Sequence, residues 1–193
     1  MCEQYAFDLP DWLIVPIGGG SLISKIWEGI CEVKALGLID HVPHMIGVQA
    51  EGCCPYVKHY QSAGPVERWD DPDTIAFAIA DVWPFDAKWV DDTLEESMGM
   101  AYSVNDDEIR RAQQQLVQNN AILAEPSSAT VISALEKGLQ QGLIKKKDRV
   151  CCVVSGNGIK DLAQMCLDIQ MPVAIEDDLD LLIKTVQTFK THE

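Results

Sequence analysis

Short apolar runs alternate along the chain with longer segments in which apolar residues recur every three or four positions. The apolar runs cover residues 13–17, 45–50, 101–104 and 149–155. The first and the last run each lead into a glycine-containing turn, as buried strands of a parallel sheet commonly do. The pattern therefore predicts four strands, and the chain between them is available for helices.

The segments with a spacing of three or four residues predict amphipathic helices. They cover residues 22–34, 55–61, 72–80, 86–97, 105–119, 127 or 128 to 141, and 177–190. Two of them carry recognisable end signals. Gly37 follows the first helix at the position of a C-cap glycine, and Asn105 with Glu108 forms the motif of a capping box.

Strands that alternate with helices in this way predict an α/β fold with three layers, in which a mostly parallel sheet is covered by helices on both faces. The sequence contains no internal repeat and no low-complexity tract. It also lacks a linker long enough to divide it. We therefore expect residues 1–193 to form a single domain.

The amino-acid composition disfavours several kinds of binding partner and indicates a compartment. The chain of 193 residues has 30 acidic and 15 basic side chains, and the resulting net charge of −15 disfavours nucleic acid and anionic membranes. No apolar run approaches the roughly 18 residues of a membrane span, and the N-terminus lacks the basic start of a signal peptide. Seven cysteines without a metal-binding spacing predict reduced thiols and a cytoplasmic protein.

Three consecutive glycines form the first candidate site. Gly18, Gly19 and Gly20 join the first strand to the first helix, where flexible backbone lets successive N–H groups point at one anion. The positive end of the helix dipole lies at the same place, and Ser21 adds a hydroxyl. A plain tight turn is the alternative, although three glycines exceed what such a turn needs. We therefore predict a phosphate-binding loop.

The loop does not match the common nucleotide motifs. A Walker loop would need a lysine followed by serine or threonine after the glycines, and that pair is absent. The dinucleotide motif fits in part, since Gly18 and Gly20 occupy its first two glycine positions but Ile23 occupies the third. Dinucleotide binding therefore stays open as an alternative.

The second candidate site follows the last strand, in the stretch "VVSGNGIKD" of residues 153–161. Ser155 places a hydroxyl where that strand ends. Carboxyl ends of parallel strands meet at one edge of a sheet, where ligands bind. We expect Ser155 and the glycine loop to face one crevice and to contact two ends of one ligand, although Ser155 alone is also compatible with a simple turn.

Four stretches in this order resemble the carboxyl-terminal part of the threonine synthase family, which belongs to the fold-type II pyridoxal-phosphate enzymes. They are "VPIGGGSL", "MIGVQAEG", "DDEI…ILAEPSSA" and "VVSGNGIKD". The resemblance implies pyridoxal 5'-phosphate as cofactor and a reaction that converts O-phosphohomoserine to threonine. Together the stretches span the chain from about Asp11 to Asp161.

The resemblance also implies roles for individual residues. Ser155 would form a hydrogen bond with the pyridine nitrogen, which suits eliminations and replacements at the β carbon. Glu125 and Ser127 would line or support the pocket. The cofactor phosphate would be bound by the backbone N–H groups of Gly18, Gly19, Gly20, Ser21 and Leu22.

The chain departs from the family at several positions. Threonine and histidine are usual where Ser155 and Asn157 stand, and a family segment resembling "IGNPAS" appears as "ADVWPFDA". The chain's loop "GGGSL" lacks the usual asparagines and is closer to that of threonine or serine dehydratases. The family's reactive lysine precedes the glycine loop, whereas no lysine occurs among residues 1–17. Lys25 and Lys160 are expected to be structural or surface residues. The sequence therefore predicts no catalytic residue within this chain.

These departures define the remaining expectations. We expect negligible turnover by this chain alone, and association with a companion polypeptide carrying the amino-terminal half or with further copies of the chain. A small-molecule phosphate ester is the expected ligand. A non-catalytic binding or interaction module and a dehydratase-like fragment are the alternatives.

Overall fold

One sheet of four parallel strands forms the centre of the computed structural model, which describes residues 1–161 and 178–190. Strand β1 covers Trp12–Pro16, β2 His44–Ala50, β3 Met100–Val104 and β4 Val150–Cys152. Their order across the sheet is β3-β2-β1-β4, and every pairing is parallel. The predicted parallel sheet is confirmed.

Six helices accompany the sheet within the described ranges. They are α1 Ser21–Ala35, α2 Pro55–Ser62, α3 Ala87–Glu96, α4 Asp106–Asn120, α5 Pro126–Gln140 and α6 Leu179–Lys190. Short 3-10 turns occur at Glu3–Tyr5, Phe77–Ile79 and Gly158–Asp161. Over these same ranges, no helix combines the length and the apolar composition needed to cross a bilayer.

Helices cover both faces of the sheet, and the side chains of β1 show why. Trp12 and Ile14 point into a core shared with α4 and α5, whereas Leu13 and Val15 point into a second core shared with α1, α2 and α3. All residues of β1 are buried, which explains its continuous apolar run. The predicted three-layer α/β arrangement is confirmed.

Both helix-end signals act as the sequence indicates. Gly37 has a φ of +71°, and its N–H donates to the carbonyl of Lys34 at 2.9 Å just after α1 ends. The Asn105 side chain accepts from the Glu108 N–H at 3.0 Å, and the Glu108 carboxylate accepts from the Asn105 N–H at 2.8 Å. This reciprocal pair is the capping box of α4.

The helix predicted for residues 72–80 is wrong, since only the 3-10 turn Phe77–Ile79 forms there. A tertiary contact takes the local hydrogen bonds. The carboxylate of Asp106, in the first turn of α4, accepts from the Thr74 hydroxyl at 2.6 Å and from the Ile75 N–H at 3.1 Å. These bonds hold the segment extended against α4, which sequence periodicity does not reveal.

The last strand is shorter and less buried than predicted. Residues 149–155 were expected to form a buried strand, but β4 covers Val150–Cys152 and all three residues are half-buried. Among the described residues β4 pairs only with β1, so it lies at an edge of the sheet. The apolar composition matched a central strand, but the position in the sheet is set by pairing between distant segments.

The strand order places a topological switch point beside β1. From β1 the chain passes to β2 and β3 on one side of the sheet, and β4 then pairs with β1 on the other side. The loops that follow β1 and β4 therefore leave the sheet at the same edge, from two neighbouring strands. Ligands of open α/β sheets bind at such switch points.

A histidine contact joins α2, the following loop and α3. Nδ1 of His59 lies 2.5 Å from the Gly64 carbonyl oxygen, and Nε2 lies 3.1 Å from Oδ2 of Asp91. Both partners are acceptors, so both ring nitrogens donate only when the ring is protonated. Burial lowers the pKa of His59, but the hydrogen bonds to Asp91 and Gly64 and the Asp91 charge outweigh it and raise the pKa.

We expect His59 to make stability depend on pH. Because its pKa is raised on folding, the contribution is fully present below the unfolded value of 6.5 and is lost as pH rises through the folded value. Urea unfolding between about pH 6 and pH 8 should show this decline. His59→Asn should flatten it, and His41→Asn should leave it in place. An unchanged decline in His59→Asn would contradict the expectation.

Candidate functional site

The two candidate loops leave neighbouring parallel strands at one edge of the sheet. Ile14 of β1 lies opposite Cys152 of β4, and the Val153 N–H donates to the Ile14 carbonyl at 2.9 Å just beyond the strand. Gly19 follows β1 and Ser155 follows β4 from this common edge. The structure therefore places the two loops on the same side of the sheet, at the switch point.

The glycine loop presents unpaired backbone donors. Gly20 has a φ of +105° and α1 begins at the next residue, Ser21. In the described part of the chain, no acceptor receives a hydrogen bond from the N–H groups of Gly18, Gly19, Gly20, Ser21 or Leu22. Free N–H groups at a helix N-terminus favour an anion.

Two carboxylates lie against this loop. The Ser21 hydroxyl donates to the carboxylate of Asp86, and the Asp86 N–H donates to the Gly19 carbonyl at 2.8 Å. A Cβ added at Gly18 would lie 2.6 Å from Oδ2 of Asp81. The loop thus combines anion-attracting N–H groups with two side chains that carry negative charge.

A buried serine holds the second loop. Ser128, in the first turn of α5, is fully buried, and its hydroxyl accepts from the Gly156 N–H at 2.6 Å. The same hydroxyl lies 3.2 Å from the hydroxyl of Ser155, and either group can donate. Ser155 is exposed. The Ser155 hydroxyl is therefore oriented by Ser128, and the residue remains exposed to solvent.

Glu125 supports this loop through close packing. Its N–H donates to the Gly156 carbonyl at 3.1 Å, and a Cβ added at Gly156 would lie 1.9 Å from Oε1 of Glu125. A side chain at position 156 would therefore require the Glu125 carboxylate to move. The Glu125 carboxylate is nearly buried and lies 4.0 Å from Nζ of Lys160.

Two clefts differ in their relation to these loops. A cleft of about 270 Å³ is lined by Phe77, Glu125, Ser127 and Lys160 among others, so it adjoins the second loop. A larger cleft of about 470 Å³ lies between α1 and α3 and includes none of the predicted site residues. The topology and the unpaired N–H groups favour the loop edge over the larger cleft.

The two lysines nearest the loops in sequence are engaged elsewhere. Nζ of Lys25 lies 2.5 Å from the Glu28 carboxylate and 5.9 Å from the centre of the Trp89 ring. Lys160 is exposed and reaches only Glu125. Neither side chain contacts Ser155 or the glycine loop in the described structure.

The thiols of Cys53 and Cys152 have raised pKa values. Burial raises the pKa of Cys152 to about 12, and burial together with the charges of Cys54 and Asp81 raises that of Cys53 to about 11. Thiols with such values are protonated near neutral pH and are poor nucleophiles. Across residues 1–161 and 178–190, no three His, Cys, Asp or Glu side chains are arranged to hold a metal ion.

Sequence reasoning missed Asp81, Asp86 and Ser128. Asp86 starts a predicted helix, so it reads locally as an N-cap, and nothing near it in sequence indicates contact with Ser21. Ser128 lies in the stretch "EPSSA", but its bond to Gly156 joins segments 28 residues apart. Contacts of this kind depend on the folded chain.

The chain matches proteins of one family over most of its length. Residues 1–156 match the family described as "Pyridoxal-phosphate dependent enzyme". The threonine synthase of Methanocaldococcus jannaschii is 37% identical over 183 residues, covering 94% of this chain and 45% of that protein. The threonine synthase of Methanosarcina acetivorans is 34% identical over 188 residues, covering 96% and 46%. The chain thus spans about half the length of the curated relatives it matches.

Solved structures share the fold. An L-serine ammonia-lyase from Rhizomucor miehei superposes with a TM-score of 0.69 at 20% identity, covering 85% of this chain and 50% of that chain. Maize serine racemase superposes with a TM-score of 0.63 at 21% identity, covering 99% and 50%. Likeness at this level of identity shows a common fold and carries no statement about the reaction.

We expect Ser128→Ala to destabilise the protein by about 1–3 kcal/mol, because the substitution leaves the buried Gly156 N–H without an acceptor. Urea unfolding measures the difference. Ser127→Ala is the matched control, since Ser127 is also buried but its hydroxyl makes no hydrogen bond within the described residues. Equal stability of the two variants would show that Ser128 does not hold the loop.

Proposed function

Because the chain belongs to the family of pyridoxal-phosphate dependent enzymes, we propose that it forms the cofactor-binding part of a threonine synthase-like lyase. The relatives at 37% and 34% identity are threonine synthases, which supports O-phosphohomoserine as substrate of the whole protein and threonine as its product. One observation carries the proposal. Unpaired N–H groups after β1 and a hydroxyl after β4 follow neighbouring parallel strands at one edge of the sheet, which supports a single ligand site there.

The glycine loop is proposed to bind the phosphate of pyridoxal 5'-phosphate. Gly18 to Leu22 supply backbone N–H groups, and the positive end of the α1 dipole adds to their attraction for an anion. Ser21 offers its hydroxyl once Asp86 releases it. The donor set fits a phosphate ester, whereas the neighbouring carboxylates oppose it.

Ser155 is proposed to contact the ring of the same cofactor. Its hydroxyl is accessible, and the bond to Ser128 gives it a preferred orientation. When bound, pyridoxal phosphate supplies an electron-withdrawing ring that stabilises negative charge on the substrate carbon. A neutral hydroxyl forms a hydrogen bond with the ring nitrogen without keeping it protonated, which suits chemistry at the β carbon. Glu125 supports Ser155 indirectly by packing on Gly156.

The reactive lysine is proposed to come from polypeptide outside residues 1–193. Lys25 lies beside the Glu28 carboxylate and Lys160 lies 4.0 Å from the Glu125 carboxylate, and neither side chain contacts Ser155 or the glycine loop in the described structure. Phe77 and Phe85 are 73% and 81% exposed, and β4 is a half-buried edge strand in the described sheet. Such exposed apolar surface suits a protein partner.

A dehydratase-like reaction on threonine or serine is the second candidate. The loop sequence "GGGSL" favours it, because asparagines are expected there in threonine synthases. Both candidates use the same phosphate loop and the same hydroxyl at Ser155. They differ in substrate, so product analysis with O-phosphohomoserine, threonine and serine distinguishes them.

We expect Gly19→Val to abolish binding of pyridoxal 5'-phosphate, because a β-branched side chain restricts the backbone that must close on the phosphate. Equilibrium dialysis gives the affinity. Gly29→Val is the matched control, since Gly29 lies in α1 with nothing within 4 Å of an added Cβ. Unchanged affinity in Gly19→Val would mean that the loop is a plain turn, and protection by NAD alone would favour dinucleotide binding.

We expect the chain alone to show negligible turnover of O-phosphohomoserine, threonine or serine with added pyridoxal phosphate, because neither Lys25 nor Lys160 contacts Ser155 or the glycine loop in the described structure. Borohydride reduction followed by peptide mass spectrometry should find no cofactor on Lys25 or Lys160. Lys160→Arg serves as a control for adventitious labelling. Turnover accompanied by a reduced adduct on either lysine would contradict the proposal.

A further inference from the structure

Asp86 occupies an unusual position for a residue that starts a helix. It stands at the N-cap of α3, where an aspartate side chain usually accepts hydrogen bonds from the first N–H groups of its own helix. Here the side chain makes no such bond. Its carboxylate instead accepts from the hydroxyl of Ser21, the first residue of α1.

The backbone of Asp86 is also fastened to the glycine loop. Its N–H donates to the Gly19 carbonyl at 2.8 Å, and its Cβ lies 3.1 Å from a Cβ added at Gly20. Two helices therefore begin around one carboxylate, α1 at Ser21 and α3 at Ala87. The positive ends of both helix dipoles favour a negative charge in this position.

A second carboxylate lies beside the first. Oδ2 of Asp81 is 2.6 Å from a Cβ added at Gly18 and 3.4 Å from one added at Gly19. In the described structure, neither Asp81 nor Asp86 has a lysine or arginine within 4 Å. The Glu28 carboxylate is the main cause of the raised pKa of Lys25, and the Asp86 charge contributes less. The negative charge next to the loop is therefore not neutralised by an ion pair.

We propose that Asp86, assisted by Asp81, acts as an internal anion at the glycine loop and sets how strongly the loop binds a phosphate ester. This inference rests on the proposed function, because it concerns the same loop. An incoming phosphate must take the Ser21 hydroxyl from Asp86 and must lie near the Asp81 carboxylate. Both effects lower affinity for a phosphorylated ligand and leave affinity for its unphosphorylated form unaffected.

Neutral variants of the two carboxylates test this directly. Asp86→Asn and Asp81→Asn should each lower the dissociation constant for pyridoxal 5'-phosphate about five- to tenfold, the effect expected for removing one unit charge near a phosphate in a water-like environment. Binding of pyridoxal, which lacks the phosphate, should not change. Equilibrium dialysis of the full chain gives both constants, and circular dichroism checks that each variant is folded.

Glu95→Gln is the matched control. It removes the same charge from α3 at an exposed position. The Glu95 side chain makes no hydrogen bond and no ion pair in the described structure. Equal affinity of wild type and both aspartate variants, or an equal gain in Glu95→Gln, would overturn the inference while leaving the phosphate loop intact. If no folded protein binds pyridoxal phosphate, Asp86→Asn included, both the inference and the proposed function fail.

Discussion

The parallel pairing of β1 with β4 is the constraint on which the candidate site depends. The three paired residues of β4 and the bond from Val153 to the Ile14 carbonyl align two segments that are about 140 residues apart in the chain. This alignment brings the loops after both strands to one edge. Without it, the glycine loop would be one helix N-terminus among several, and Ser155 would be an ordinary turn residue.

The chemistry at this edge is a balance between backbone and side chains. Backbone N–H groups and helix dipoles attract negative charge, and they do so regardless of the side chains around them. Asp81 and Asp86 supply such charge from the chain itself, in keeping with a protein of net charge −15. The loop that is proposed to bind a phosphate ester therefore also stabilises an aspartate, and under that proposal binding would exchange one anion for the other.

The position of Ser155 is set by buried neighbours at the start of α5. Ser128 and Glu125 lie at the start of α5, and both contact Gly156. The Ser128 hydroxyl also lies 3.2 Å from the exposed hydroxyl of Ser155. A buried hydroxyl and a close carboxylate thus fix the backbone of the loop, and the position of Ser155 follows from that backbone. The proposed ring contact relies on this indirect support, since the Ser155 side chain has only one short bond to its surroundings.

Local patterns were sufficient for much of the fold. The glycine loop, the capping box at Asn105 and the strand at residues 13–17 could be predicted because each depends on neighbours in sequence. The segment 72–80 and the edge position of β4 could not, because bonds to Asp106 and pairing with β1 come from distant parts of the chain. Likewise, the sequence alone determined where flexible backbone and a helix N-terminus coincide, which is the basis for predicting a phosphate loop. Only the tertiary structure decided that the Asp86 carboxylate accepts from Ser21 there, since that contact joins the beginnings of two helices 65 residues apart.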